Sequence, residues 1–197
     1  MQEFSLYFEE GWQHIADLGG YDHILFIMAL CAVYLMKDWK KVLILVTAFT
    51  LGHSITLALS VLGIVRVDTG LIEFLIPVTI VLTALGNVIR GGKEPERANW
   101  NYFFAIFFGL IHGLGFSNYL RSMLGSQADI LQPLLAFNLG LEFGQLIIVT
   151  IVLILSQLII RIGRASRRDW TLFLSAAIFG VAFVMSIERF ALILENK

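Results

Sequence analysis

The side chains best suited to chemistry in this sequence are four histidines, His14, His23, His53 and His112, and the carboxylates of Asp17, Asp22, Glu73 and Glu142. His14, Asp17, Asp22 and His23 fall together in HIADLGGYDH, where Gly19-Gly20 predicts a break that turns the chain and brings His14 back over His23. His53 lies 12 residues beyond Lys41, and His112 lies 12 residues beyond Trp100. Each distance is about 18 Å along a helix, so the two imidazoles are expected at one depth on helices that run the same way. Asn138, Glu142 and Gln145 are spaced i, i+4, i+7 and so share one helical face. Glu73 is followed by Pro77, Thr83 and Asn87 on a similar face, with Pro77 expected to bend the helix.

Neutral imidazole nitrogens with carboxylate oxygens suit Ni²⁺, Zn²⁺, Co²⁺ or Fe²⁺, and the residues alone do not rank these metals. The single cysteine, Cys31, lies within an apolar run, so it reads as a packing residue and excludes an intrachain disulfide. Any one histidine could instead donate a single hydrogen bond between helices. Four of them with Asp22 and Glu142, biased to one half of the spans, favour a metal or catalytic site. The expected ligands are His14, Asp22, His23, His53, His112 and Glu142, with Asp17, Ser54, Glu73, Asn138 and Gln145 as supporting polar groups. The sharpest form of this reading has His23, His53 and His112 sharing one ion, with Asp22 or Glu142 as a ligand or as the acceptor that orients an imidazole.

The elements that must position these groups are membrane helices. Hydrophobic residues make up 58% of the chain, charged residues 15%, and mean hydropathy is +0.82, far from the composition of soluble domains. Apolar runs of about 20 residues, each able to cross a hydrocarbon core of about 30 Å, predict an all-α polytopic domain covering residues 1–197. Six spans are expected at 21–36, 41–63, 70–90, 100–123, 131–160 and 170–193. Residues 1–19, with Phe4, Phe8, Gly11, Ile15 and Leu18 at helical spacing, read as a short amphipathic helix in the interface. Glu3, Glu9 and Glu10 precede any Lys or Arg, so no cleavable signal is expected.

Three Lys and Arg fall in 37–41, three in 90–97 and four in 161–168, against Arg66, Arg121, Arg189 and Lys197 at all other ends. By the positive-inside rule both termini are then non-cytoplasmic. Only Asp38, Glu94, Glu96 and Asp169 of the fifteen acidic residues fall on the inner side. An acidic outer mouth concentrates cations. Gly109/Gly113 and Gly140/Gly144 have the small-xxx-small spacing of closely packed helices, with a homo-oligomer face as the alternative use. The expected partners are the lipid bilayer and a divalent metal ion, with no nucleic acid. Phe103, Phe104, Phe107 and Phe108 read as lipid-facing or packing groups.

The motifs HIADLGGYDHILF, TAFTLGHSITLAL, GLIHGLGF and FNLGLEFGQL, in that order, resemble the HupE/UreJ family of bacterial membrane proteins over nearly the whole chain. The resemblance implies a nickel permease or nickel-handling accessory protein of the bacterial inner membrane, with Gly20-Tyr21-Asp22-His23 matching the family's glycine-Asp-His motif. FTLGHSIT is also similar to a histidine-serine motif of nickel/cobalt transporters. Asp17 stands where the companion signature of those transporters has its first histidine, and His14 lies three residues earlier. A histidine-rich segment between spans and a paired-histidine motif around His112 are both absent from the sequence.

Three functions fit these residues: a permease, an intramembrane metal-dependent hydrolase, and an accessory protein that binds metal and passes it on. A hydrolase would use the metal to acidify water, with Ser54, Glu142 or Asp22 as a proton acceptor. A permease needs polar groups in the inner half, for which Thr47, Thr50, Thr83 and Asn87 are the candidates. The family resemblance places the permease first.

Overall fold

The computed structural model describes residues 2–93, 98–125 and 130–195. Its regular structure is helical, with no strand among the described residues: α1 Gln2–Ala16, α2 Asp22–Cys31, α3 Trp39–Val61, α4 Thr69–Ile89, α5 Ala98–Leu124, α6 Leu131–Arg161 and α7 Arg167–Glu195. A 3-10 turn, Met36–Asp38, leads into α3. The ends of α3 to α7 fall within three residues of the spans expected from the apolar runs. Glu94, Glu96, Arg97, Asp129 and Lys197 lie outside the described residues.

Local chemistry explains where several helices start and stop. Asp68 caps α4 by accepting from Leu71 N at 2.9 Å. Gly63 after α3, Gly91 and Gly92 after α4 and Gly125 after α5 have φ between 55° and 74°, a conformation that a Cβ disfavours. α4 continues through Pro77 without interruption.

The outer face of the bundle is apolar. Leu51, Phe103, Phe107, Ile147 and Phe183 are all exposed, while Phe26, Phe49, Phe137 and Leu141 form a thin core. α3, α4, α5, α6 and α7 are each long and apolar enough to cross a membrane. The expected first span, 21–36, is not such a helix. α2 has ten residues, about 15 Å of rise, or half of a hydrocarbon core. α1, expected as an interfacial helix, packs along α6 with backbone-to-backbone closeness.

That packing recurs. A Cβ at Gly11 would fall on the carbonyl oxygen of Phe137, and one at Gly140 would fall on that of Phe8. In α3 and α5 a Cβ at Gly52 would fall on Ile106 O, and one at Gly109 on Phe49 O. Gly144 meets Ile15 and Trp12, and Gly113 meets His53 and Thr56. Contact positions rise together in both pairs, so α1 runs parallel to α6, and α3 to α5. Between the pairs the order reverses: His53 faces Phe137 with ring centroids 6.3 Å apart, while Thr47 donates to Glu142 at 2.7 Å. The two glycine-packed pairs therefore run in opposite senses. α4 and α7 form a third, antiparallel pair, tied by Phe74 against Phe190 at 5.4 Å and Glu73 to Arg189 at 2.8 Å.

α1 and α2 lie nearly head to tail. Glu10 of α1 is 3.4 Å from Tyr119 Oη near the end of α5. At the opposite end of the bundle, Asn87 Nδ2 donates to Ala29 O at 2.8 Å, Thr171 Oγ1 donates to Ala32 O at 2.8 Å, and Arg167 donates to Val33 O. Together the two helices traverse the bundle, and the irregular segment 17–21 interrupts them between His14 and His23.

Candidate metal centre

The break is built from short polar turn chemistry. Asp17 Oδ1 accepts from Gly19 N at 2.8 Å, and both Gly19 and Gly20 sit against the Asp17 carboxylate. Asp22 then opens α2, where its Oδ1 accepts from His23 N at 2.8 Å and lies 2.9 Å from His23 Nδ1. His14 occupies the last turn of α1 and His23 the first turn of α2. α3 brings His53 to the same place, locked by the contact of Gly52 and Gly109 with the neighbouring backbones.

His14, His23 and His53 each present a ring nitrogen, and the three nitrogens lie within 4.8 Å of one another. His53 is 0% and His23 4% exposed. Ring centroids are 4.5 Å apart for His14 and His23, 6.0 Å for His14 and His53, and 6.3 Å for His23 and His53. His112 packs behind this triangle, 5.1 Å from His23, with its Nε2 2.9 Å from Thr79 Oγ1. Phe116, at 3.9 Å from His14, together with Phe49 and Phe137 walls the cluster with aromatic rings.

The free valences are the informative feature. His14 Nε2, His23 Nε2, both ring nitrogens of His53 and His112 Nδ1 are buried without a hydrogen-bond partner. Leaving such a nitrogen desolvated and unpaired costs about 1–3 kcal/mol, so a cluster of five is expensive unless something binds there. Imidazole nitrogens that converge without thiolates fit a borderline divalent transition ion. The Asp22 carboxylate holding His23 Nδ1 fixes which nitrogen of His23 faces inward.

Other expected groups are placed elsewhere. Among the described residues no carboxylate joins the three-histidine group within 4.8 Å. Glu142 accepts from Thr47 at 2.7 Å, and Gln145 Oε1 from Thr50 at 2.8 Å. Ser54 Oγ donates to Thr50 O at 2.7 Å, and Asn138 Nδ2 to Leu134 O at 2.8 Å, with Asn138 Oδ1 buried and unpartnered. Glu73 is ion-paired to Arg189. The sequence reading missed Thr79, the partner of His112, and it missed Glu10, which lines the cavity beside His14. Glu10, His14 and Asp17 do carry a signal, since i, i+4, i+7 places them on one face.

Those three residues, with Gln13, Phe116 and Tyr119, line a cavity of about 570 Å³ that reaches the cluster at His14. A second cavity, of about 410 Å³, lies toward the other end of the bundle and is lined by Tyr34, Thr83, Asn87, Arg90 and Asn101 among apolar groups. Thr79 and Thr83 continue from His112 toward it, with Thr83 Oγ1 donating to Thr79 O at 2.8 Å.

The model of the HupE/UreJ protein family matches residues 1–189. The chain belongs to the HupE/UreJ family. No curated protein and no solved structure matched it. Membership covers every residue of the cluster, including both sides of the break in this HupE/UreJ member.

Proposed function

We propose that this HupE/UreJ member binds one divalent transition ion through His14, His23 and His53 and carries it across the bacterial inner membrane. Nickel is the cargo that the family resemblance indicates. The observation that carries the reading is the convergence of three imidazoles, with unpartnered nitrogens, at a helix break.

The surrounding architecture supports a carrier. In this reading α1 and α2 form a sixth, discontinuous crossing, and both termini are non-cytoplasmic, as the basic connections require. Carriers commonly bind cargo where a crossing is broken near the midplane, between elements of opposite orientation. The oppositely running α1/α6 and α3/α5 pairs supply such elements. Glu10 and Asp17 in the cavity above His14 raise the local concentration of divalent cations. Thr83 and Asn87 in the cavity below give polar stations in the inner half. The hydrolase alternative draws no support from Ser54, whose hydroxyl is spent on Thr50 O.

Uptake of radiolabelled nickel into vesicles reconstituted with the purified protein tests the proposal. Saturable uptake, lost in His14→Ala and His53→Ala, is expected. Tight binding without uptake would leave the accessory role and contradict the permease.

A further inference from the structure

The end of the bundle that holds the acidic cavity also holds a basic one, on another face of α5. A cavity of about 230 Å³ lies where α3 ends, α4 begins and α5 approaches its last turn, lined by Ser60, Arg66, Thr69, Ser117, Asn118 and Arg121 together with apolar groups. No carboxylate lines it. Asp68, the nearest in sequence, turns its Oδ1 onto Leu71 N at 2.9 Å. Among the described residues neither Arg66 nor Arg121 has an ion-pair partner.

The donors around this cavity are only partly used. Arg121 donates through one terminal nitrogen to Ser60 O and, at 3.1 Å, to Ser60 Oγ, while its Nε is buried without a partner. Thr69 Oγ1 accepts from Asn118 Nδ2 at 3.0 Å, which leaves its hydroxyl hydrogen, like that of Ser60, free to donate. Ser117 is committed to Leu114 O at 2.7 Å and forms wall only. Two guanidiniums and two hydroxyls thus surround a space smaller than the roughly 300–1,000 Å³ of drug-sized ligand pockets. Planar guanidinium forks match the oxygen spacing of phosphate, and two arginines without an ion-pair partner among the described residues make an anion the favoured guest.

We infer that this cavity is a binding site for a phosphate oxyanion, held by Arg66 and Arg121 with Ser60 and Thr69 as hydroxyl donors. Its place at three helix ends is the level at which lipid headgroups lie, so the phosphate can come from a phospholipid or from solution. The inference is independent of metal transport, since the site shares no residue with the histidine cluster.

The test uses the full-length protein, purified and delipidated, with two probes: inorganic phosphate by equilibrium dialysis and phosphatidylglycerol by native mass spectrometry. One phosphate group per chain is expected, with affinity reduced at least tenfold in Arg66→Gln and in Thr69→Ala, and by less in Arg66→Lys, which keeps the charge but loses the fork. Binding of inorganic phosphate would identify a free oxyanion, and retention of the lipid alone would identify a headgroup. Arg121 also caps α3, so Arg66→Gln is the primary variant; its thermal unfolding and metal stoichiometry should equal those of the wild type. Failure of both probes to bind, or equal binding by Arg66→Gln, would overturn the inference and leave Arg121 as a helix cap only.

Discussion

In α3/α5 and in α1/α6 the same device brings two parallel backbones together: paired glycines, Gly52 with Gly109 and Gly11 with Gly140, each facing a carbonyl of the partner helix. The pairs differ in continuity. α3 runs uninterrupted for 23 residues, whereas α1 stops after 15 and the chain restarts as α2 after the 17–21 break. His53 and His112 therefore ride on rigid, mutually locked helices, while His14 and His23 sit on two ends of a discontinuity. The comparison teaches that one frame can set side chains from an unbroken helix against side chains from the two ends of a break, a division that suits the carrier proposed above.

The frame can be broken first, and there the largest effect is expected. Gly52→Val and Gly11→Val would each force a side chain onto a carbonyl of the neighbouring backbone, so both should cost about 3 kcal/mol, the upper end of the usual range for overpacking. Thermal unfolding in detergent should show both variants grossly destabilised, with Gly180→Ala, which meets nothing within 4 Å, close to neutral. Tolerance of Gly11→Val alone would show that the two pairs are not equivalent.

Replacing ligands separates the fixed histidine from its neighbours. His53→Ala removes an imidazole with both nitrogens unpartnered and should lower metal affinity by at least about a hundredfold, beyond the 10–100-fold typical of outer groups. His112→Ala should cost less, because its Nε2 already faces Thr79. Isothermal titration of the two variants in parallel reads the difference, and equal losses would move His112 into the ligand set.

The pH dependence has a definite sign. Imidazoles must be neutral to bind metal and titrate ordinarily near 6.5, so affinity should fall as pH drops through the pKa of the free cluster. Binding steepens by up to about tenfold per pH unit for each proton displaced. Affinity that does not fall at any acid pH at which the protein stays folded would point away from imidazole ligands. The smallest effect is expected for Thr79→Val, which removes the hydroxyl facing His112 Nε2 and should weaken binding by about tenfold through misorientation of a neighbouring ring.

The apolar runs placed α3 to α7 within a few residues because span length is dictated by the bilayer. The convergence of the histidines was legible for a related reason, since ionisable groups inside spans are costly unless they pair or line a shared space. Gly19-Gly20 announced the break, but not that it sits within the bundle rather than at its edge. That depends on Gly11 and Gly140 letting α1 sink against α6, a contact between residues more than a hundred positions apart. Glu142 misled for the opposite reason: its helical face was read correctly, but the face meets Thr47 and Thr50 of α3 rather than the histidines.

X-ray absorption spectroscopy of the purified protein loaded with nickel tests the central claim most directly. The account predicts one ion per chain with imidazole nitrogens from His14, His23 and His53 in its shell, and a loss of imidazole scattering in His14→Ala and His23→Ala. A shell of oxygen alone, or one unchanged in both variants, would contradict it.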